Sequence, residues 1–71
     1  GFVCANLDSI IIAEKPKMDP HIEKMRTNLA SALKITAEQV SIKATTTERL
    51  GFIGREEGIA AQAVVLLNYI N

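Results

Sequence analysis

Three threonines, a glutamate, two arginines and two glycines crowd the stretch from Lys43 to Arg55, KATTTERLGFIGR. They fall at the exit of an apolar, alternating segment, where an open sheet presents its ligand-binding groups. Threonine hydroxyls donate to phosphate oxygens while their branched carbons suit the end of a strand, and Glu48, one step beyond, can hold a divalent cation between those oxygens. The pattern therefore reads as the wall of a phosphate site in which phosphate and metal share one corner. The plainer alternative is that the threonines simply favour extended backbone and that Glu48 and Arg49 are solvated loop charges. A short motif does not separate the two.

The elements that must position this wall can be read on either side of it. Val40, Ile42 and Ala44 alternate with Ser41, Lys43 and Thr45, the period of a strand with one buried face. Phe2 to Ala13 ends in Ile10, Ile11 and Ile12, a β-branched run that disfavours helix and predicts a first strand; Asn6 and Asp8 on it belong either to a polar network or to a strand end emerging into solvent. From Glu14 to Pro20 two prolines interrupt all periodicity and predict a stiff, mostly extended loop. Such a loop leaves main-chain groups fixed in direction and able to read the edge of a flat base, with Lys17 supplying charge to a phosphate; an ordinary connector with solvated lysines is the alternative. Asp19 followed by Pro20 predicts an N-cap and a helix to Lys34, with Ile22, Met25, Leu29, Ala32 and Leu33 as its apolar stripe and Glu23, Lys24, Arg26 and Lys34 as its wet face. His21 in the first turn has no second ligand at metal spacing and reads as solvated or capping. Thr36 to Gln39 carries a capping-box pattern. Gly51, Gly54 and Gly58 punctuate a loop or short turn in which Phe52 and Ile53 are expected at an interface. Ile59 to Ile70 is read as a third strand rather than a helix, with a wholly apolar face from Ile59 to Tyr69.

Composition bounds what these elements can do. At 71 residues the chain forms one small domain, and a domain near that size buries only about 60% of its unfolded surface. Net charge is zero with acids and bases interspersed, so no basic stripe suggests nucleic acid and any phosphate must be held by local groups. Hydrophobic residues make up 48% of the chain, which excludes a disordered segment, and apolar runs are too short for a transmembrane helix. The start at Gly1, without methionine, basic leader or cleavage site, suggests a processed, cleaved or truncated product. Cys4 is the single cysteine; an internal disulfide is impossible, a reduced compartment is the easier reading, and the residue is expected to be a small buried hydrophobe. Three strands and one long helix leave a second sheet face without cover, so missing chain, neighbouring subunits or both must supply it.

The segments AEKPKM from Ala13 to Met18, PHI from Pro20, KATTTE from Lys43, LGFIGR from Leu50 and EGIA from Glu57 together resemble the C-terminal half of the 2-C-methyl-D-erythritol 2,4-cyclodiphosphate synthase family. The resemblance runs through nearly the whole chain, residues 1–71. It implies an α/β (α+β) fold, a two-layer sandwich with a mixed sheet, as a fragment of a subunit that forms a threefold homotrimer with active sites at its interfaces. It also implies an isoprenoid-pathway reaction in which 4-diphosphocytidyl-2-C-methyl-D-erythritol 2-phosphate closes to the cyclic diphosphate and releases CMP. By position, Ala13, Pro16, Lys17 and Met18 resemble the cytosine pocket, Thr45 and Thr46 the diphosphate contacts, and Glu48 the ligand of a magnesium or manganese ion. Phe52 and Arg55, with Glu57, resemble residues of a central trimer cavity where isoprenoid diphosphates bind.

One departure is large. Family members are about twice as long, and their zinc ligands lie in the N-terminal half, which this sequence lacks; His21 does not align with any of them. Zinc is thus expected only in the whole enzyme, and the chain alone is expected to be inactive. The compartment implied is bacterial cytoplasm or plastid stroma. A non-catalytic nucleotide-binding or oligomerisation module is the competing reading.

Overall fold

The computed structural model describes residues 1–70. Strand β1, Phe2–Ile12, lies at the centre of a three-stranded mixed sheet. On one side it pairs in parallel with β2, Val40–Thr45, in a register running from Leu7 opposite Val40 to Ile12 opposite Thr45. On the other it pairs antiparallel with β3, Ala60–Tyr69, from Phe2 opposite Tyr69 to Ile12 opposite Ala60. Parallel strands need a long crossover, and helix α1, Ile22–Leu33, provides it. A mixed α+β architecture results, and all three strands form where periodicity predicts them.

The core lies between α1 and one face of β1 and β2. Leu7, Ala30, Val40 and Ile42 are buried together, with Ile11, Ile22, Met25 and Leu29 packed around them. Each large aliphatic side chain taken fully out of water contributes about 1.5–3 kcal/mol. The alternation along β2 is clean, Val40 and Ile42 buried and Ser41, Lys43 and Thr45 exposed.

Helix α1 departs from the predicted span and stripe. Its entry is a 3-10 turn, Asp19–His21, and Asp19 makes no side-chain cap. The donors Asp19 was expected to satisfy are already taken, His21 N–H by the Met18 carbonyl at 2.8 Å and Ile22 N–H by that of Asp19. At the other end Lys34 is left-handed (φ 59°, ψ 42°), and Ile35 N–H reaches back to the Ala30 carbonyl at 3.0 Å, a Schellman-type stop made without glycine. Ala30 occupies the buried face, whereas Ala32 and Leu33 are exposed; ten residues past Ile22, Ala32 is turned roughly 80° away from the stripe at 3.6 residues per turn. Arg26 belongs to the inner side, not the wet face. Its Nε and Nη2 donate to the carbonyls of Val40 and Ala37 at 2.8 and 2.7 Å.

A second 3-10 turn, Ala37–Gln39, leads into β2. Gln39 Oε1 accepts from Thr36 N–H at 2.8 Å, the reach-back half of the predicted capping box, and Gln39 Nε2 donates to the Ala5 carbonyl at 2.7 Å. Ala5 is the extra residue of a β-bulge between Cys4 and Asn6, which leaves its carbonyl free for that bond. Cys4 is half-buried rather than buried, because it lies opposite Leu67 and outside the cluster around Ala30.

Strand β3 extends the sheet beyond the helix. Val64, Val65, Leu66, Leu67 and Tyr69 are all exposed, 44–69%, so apolar side chains on both faces of the strand meet solvent. Phe2 and Tyr69 close the far end as an edge-to-face ring pair with centroids 5.4 Å apart. No helix among the described residues is long and apolar enough to cross a membrane.

Candidate functional site

At the carboxyl ends of β1 and β2, a bond from Ala13 N–H to the Thr45 carbonyl at 3.0 Å carries the parallel pairing one residue further. Beyond it the two chains diverge, β1 into the proline loop and β2 into the threonines. Between them opens a crevice of about 300 Å³. Ala13, Pro16, Lys17 and Met18 form one wall, and Thr45 and Thr46 the other. Six of the residues singled out from sequence thus meet around one cavity, although their two groups are separated along the chain by a helix and a strand. The Lys17 ammonium is solvent-exposed beside it.

Glu48 stands one turn further along. Thr47 to Leu50 is a tight turn closed by Leu50 N–H on the Thr47 carbonyl at 3.1 Å, with φ 55° at Glu48 and 66° at Arg49. Two consecutive positive φ values define a type I′ turn, which favours glycine or asparagine. Glu48 N–H donates to Thr46 Oγ1 at 3.2 Å. The Glu48 carboxylate is exposed and, among the described residues, has no hydrogen-bond or ion-pair partner. No group of three or more His, Cys, Asp or Glu side chains is placed to hold a metal among the described residues. A lone free carboxylate fits magnesium or manganese, which take one or two carboxylates and complete their shell with phosphate oxygens and water. It does not fit zinc, which requires three or four protein ligands. His21 is exposed, in keeping with a solvated histidine.

Phe52 and Arg55 lie outside the crevice, on and just after the single helical turn α2, Gly51–Gly54. Arg55 is held by Glu57 through two bonds, Nε to Oε2 at 3.1 Å and Nη2 to Oε1 at 3.2 Å. Phe52 is 55% exposed but Ile53 is buried, which corrects the expectation that both face an interface. Successive residues of a helical turn point about 100° apart, so one faces in as the other faces out.

Three residues at the site are not singled out individually by sequence reasoning. Asp19 and Ala44 line the crevice. Glu14, which reads as part of a solvated connector, points across it: Oε1 accepts from Thr47 N–H and Arg49 N–H, each at 3.1 Å. An acidic residue at a strand exit was the available signal, but nothing in the sequence names a partner 33 residues away.

The profile of the YgbB family matches residues 1–68. Over 67 residues the chain is 67% identical to the 2-C-methyl-D-erythritol 2,4-cyclodiphosphate synthase of Geobacillus sp. (strain WCH70), covering 94% of this chain and 42% of that protein. In structure it is similar to the bifunctional IspDF of Campylobacter jejuni, with a TM-score of 0.95 and 41% identity over all of this chain and 19% of that one. It is also similar to IspF of Plasmodium falciparum in its CDP complex, with a TM-score of 0.92 and 33% identity over 99% of this chain and 45% of that one. The chain spans less than half the length of these relatives. With the family profile matching nearly its whole length and its fold superposing closely on these relatives, the chain belongs to the YgbB family.

Proposed function

We propose that this chain is the C-terminal half of a single 2-C-methyl-D-erythritol 2,4-cyclodiphosphate synthase domain, and that it supplies the cytidine pocket and a diphosphate-bridging metal ligand. The observation that carries the reading is the crevice itself. It sets the Ala13–Met18 wall opposite Thr45 and Thr46 at the carboxyl edge of a sheet, and a relative of 33% identity is described as a CDP complex. A base held by main-chain groups of the proline loop leaves its diphosphate within reach of the two hydroxyls and of Lys17.

In the reaction, an oxygen of the substrate's 2-phosphate attacks the β-phosphorus; the new P–O bond closes the ring, and the bond to the oxygen bridging α and β breaks, so that CMP leaves with that oxygen. In-line attack between anions needs positioning and charge neutralisation more than a protein nucleophile. Thr45 and Thr46 hydroxyls orient the diphosphate by donating to its oxygens, Lys17 draws off charge, and Glu48 holds the cation. A magnesium or manganese ion held there would supply positive charge against the diphosphate. Zinc, the erythritol contacts and the rest of each site belong to the N-terminal half, assembled in a homotrimer of two-layer subunits in bacterial cytoplasm or plastid stroma. Phe52 and Arg55 then face the threefold axis, where an isoprenoid diphosphate binds.

The test is CMP release by the full-length protein that carries this chain. Glu48→Ala and Thr46→Val are each expected to lower kcat by about a hundredfold, the loss that follows removal of one group stabilising transition-state charge. Wild-type protein that binds CDP but releases no CMP from the substrate overturns the enzymatic reading and favours a nucleotide-binding module.

A further inference from the structure

Glu48 and Arg49 adopt left-handed backbone without being glycine, and each such residue costs about 1–2 kcal/mol. Strained turns persist only where surrounding bonds over-determine them. Here a single oxygen does most of this, for Glu14 Oε1 accepts the amides on both sides of Glu48, at 3.1 Å each. The far side of the turn is fixed by Thr47 Oγ1 donating to the Leu50 carbonyl at 2.7 Å. Glu14 sits between Ala13 and Pro16 on the opposite wall of the crevice, so the same bonds tie that wall to the turn.

We propose that Glu14 is a positioning residue for the cation: by bracing the Thr47 and Arg49 amides it fixes the backbone at the intervening Glu48, and with it the direction in which the Glu48 side chain leaves the turn that follows Thr45 and Thr46. The proposal rests on the reading of Glu48 as a metal ligand. Residues that orient a metal ligand without touching the metal are worth 10- to 100-fold in affinity.

CDP affinity of the full-length protein, measured by calorimetry with manganese added and again with manganese omitted, isolates the effect. The ratio of the two Kd values reports the metal contribution alone, because general damage to the nucleotide pocket raises both. Glu48→Ala is expected to bring the ratio close to one, Glu14→Ala to lower it by about tenfold, and Glu14→Gln, which keeps an oxygen on the same amides, to stay within about threefold of wild type. Thermal unfolding of each variant checks the fold, and should Glu14→Ala fail to fold, Glu14→Asp, one methylene too short to reach, is expected to show the same loss. If Glu48→Ala leaves the ratio unchanged, Glu48 is not the ligand and the brace falls with it. If Glu48→Ala abolishes the ratio while Glu14→Ala, or Glu14→Asp in its place, does not move it, the brace alone is wrong. A Gln variant as impaired as the Ala variant assigns the effect to charge and likewise overturns it.

Discussion

Arg26 donates from all three guanidinium nitrogens, to Val40, Ala37 and Glu23, at 2.7–2.8 Å. Two of those acceptors are main-chain carbonyls at the entry to β2, so the side chain pins the start of the strand whose far end forms the site. Hydrogen bonds to a charged group contribute about 1.5–3 kcal/mol, and Arg26→Ala is expected to destabilise the full-length protein by about 2 kcal/mol, read from the urea midpoint. Arg26→Lys should recover less than half of this, because one ammonium cannot span two carbonyls as a planar fork does. Residue types at the site were largely legible: hydroxyls, a lysine between prolines and a carboxylate after the threonines name their chemistry by composition. Partnerships were not. Arg26 reads as one more charge on an amphipathic helix, and Glu14 as one more charge in a loop, because hydrogen-bond partners distant in sequence leave no periodic trace.

The three strands could be read because their signals are local, a β-branched run, a strict alternation and a glycine-bounded apolar stretch. Helix ends are harder. The N-cap is decided by whether main-chain carbonyls already satisfy the first amides, and the stop at Lys34 uses a left-handed residue that sequence would assign to glycine. The turn α2 shows how closely elements approach at the site: a Cβ on Gly54 would lie 2.6 Å from Arg49 Cα and nearer still to its carbonyl carbon. Gly54→Ala must therefore push the Thr47–Leu50 turn outward. It is expected to cost about 1–3 kcal/mol, as overpacking does, and to weaken manganese-dependent CDP binding along with Glu48. Gly51→Ala meets open space but keeps a φ of 70°, so it should cost only about 1 kcal/mol. Unfolding curves of the two variants, compared side by side, check the difference.

The described chain measures 47 × 21 × 14 Å with a radius of gyration of 14.2 Å, against about 11 Å for a compact domain of this length. The excess comes from the β1–β3 ribbon, which from Phe2 to Asn6 runs on past the start of β2 and carries exposed apolar side chains on both faces of β3. Monomeric proteins rarely expose contiguous apolar patches beyond a few hundred Å², and the need for further cover was visible in the sequence as strands outnumbering the helices available to blanket them. Among the described residues that surface stays uncovered. The 71 residues produced alone are accordingly expected to self-associate at micromolar concentration and to release no CMP, with release appearing when the N-terminal half is supplied. Gel filtration and a CMP assay check this, and a soluble, active monomer contradicts it.

The ring pair at the far end has a practical corollary. Tyr69 is the chain's only tyrosine and there is no tryptophan, while strand pairing sets it roughly 30 Å from the crevice end of the sheet. Ultraviolet emission from these residues is thus a built-in gauge of whether the far rim has been wrapped by other protein, and it is blind to what occupies the crevice.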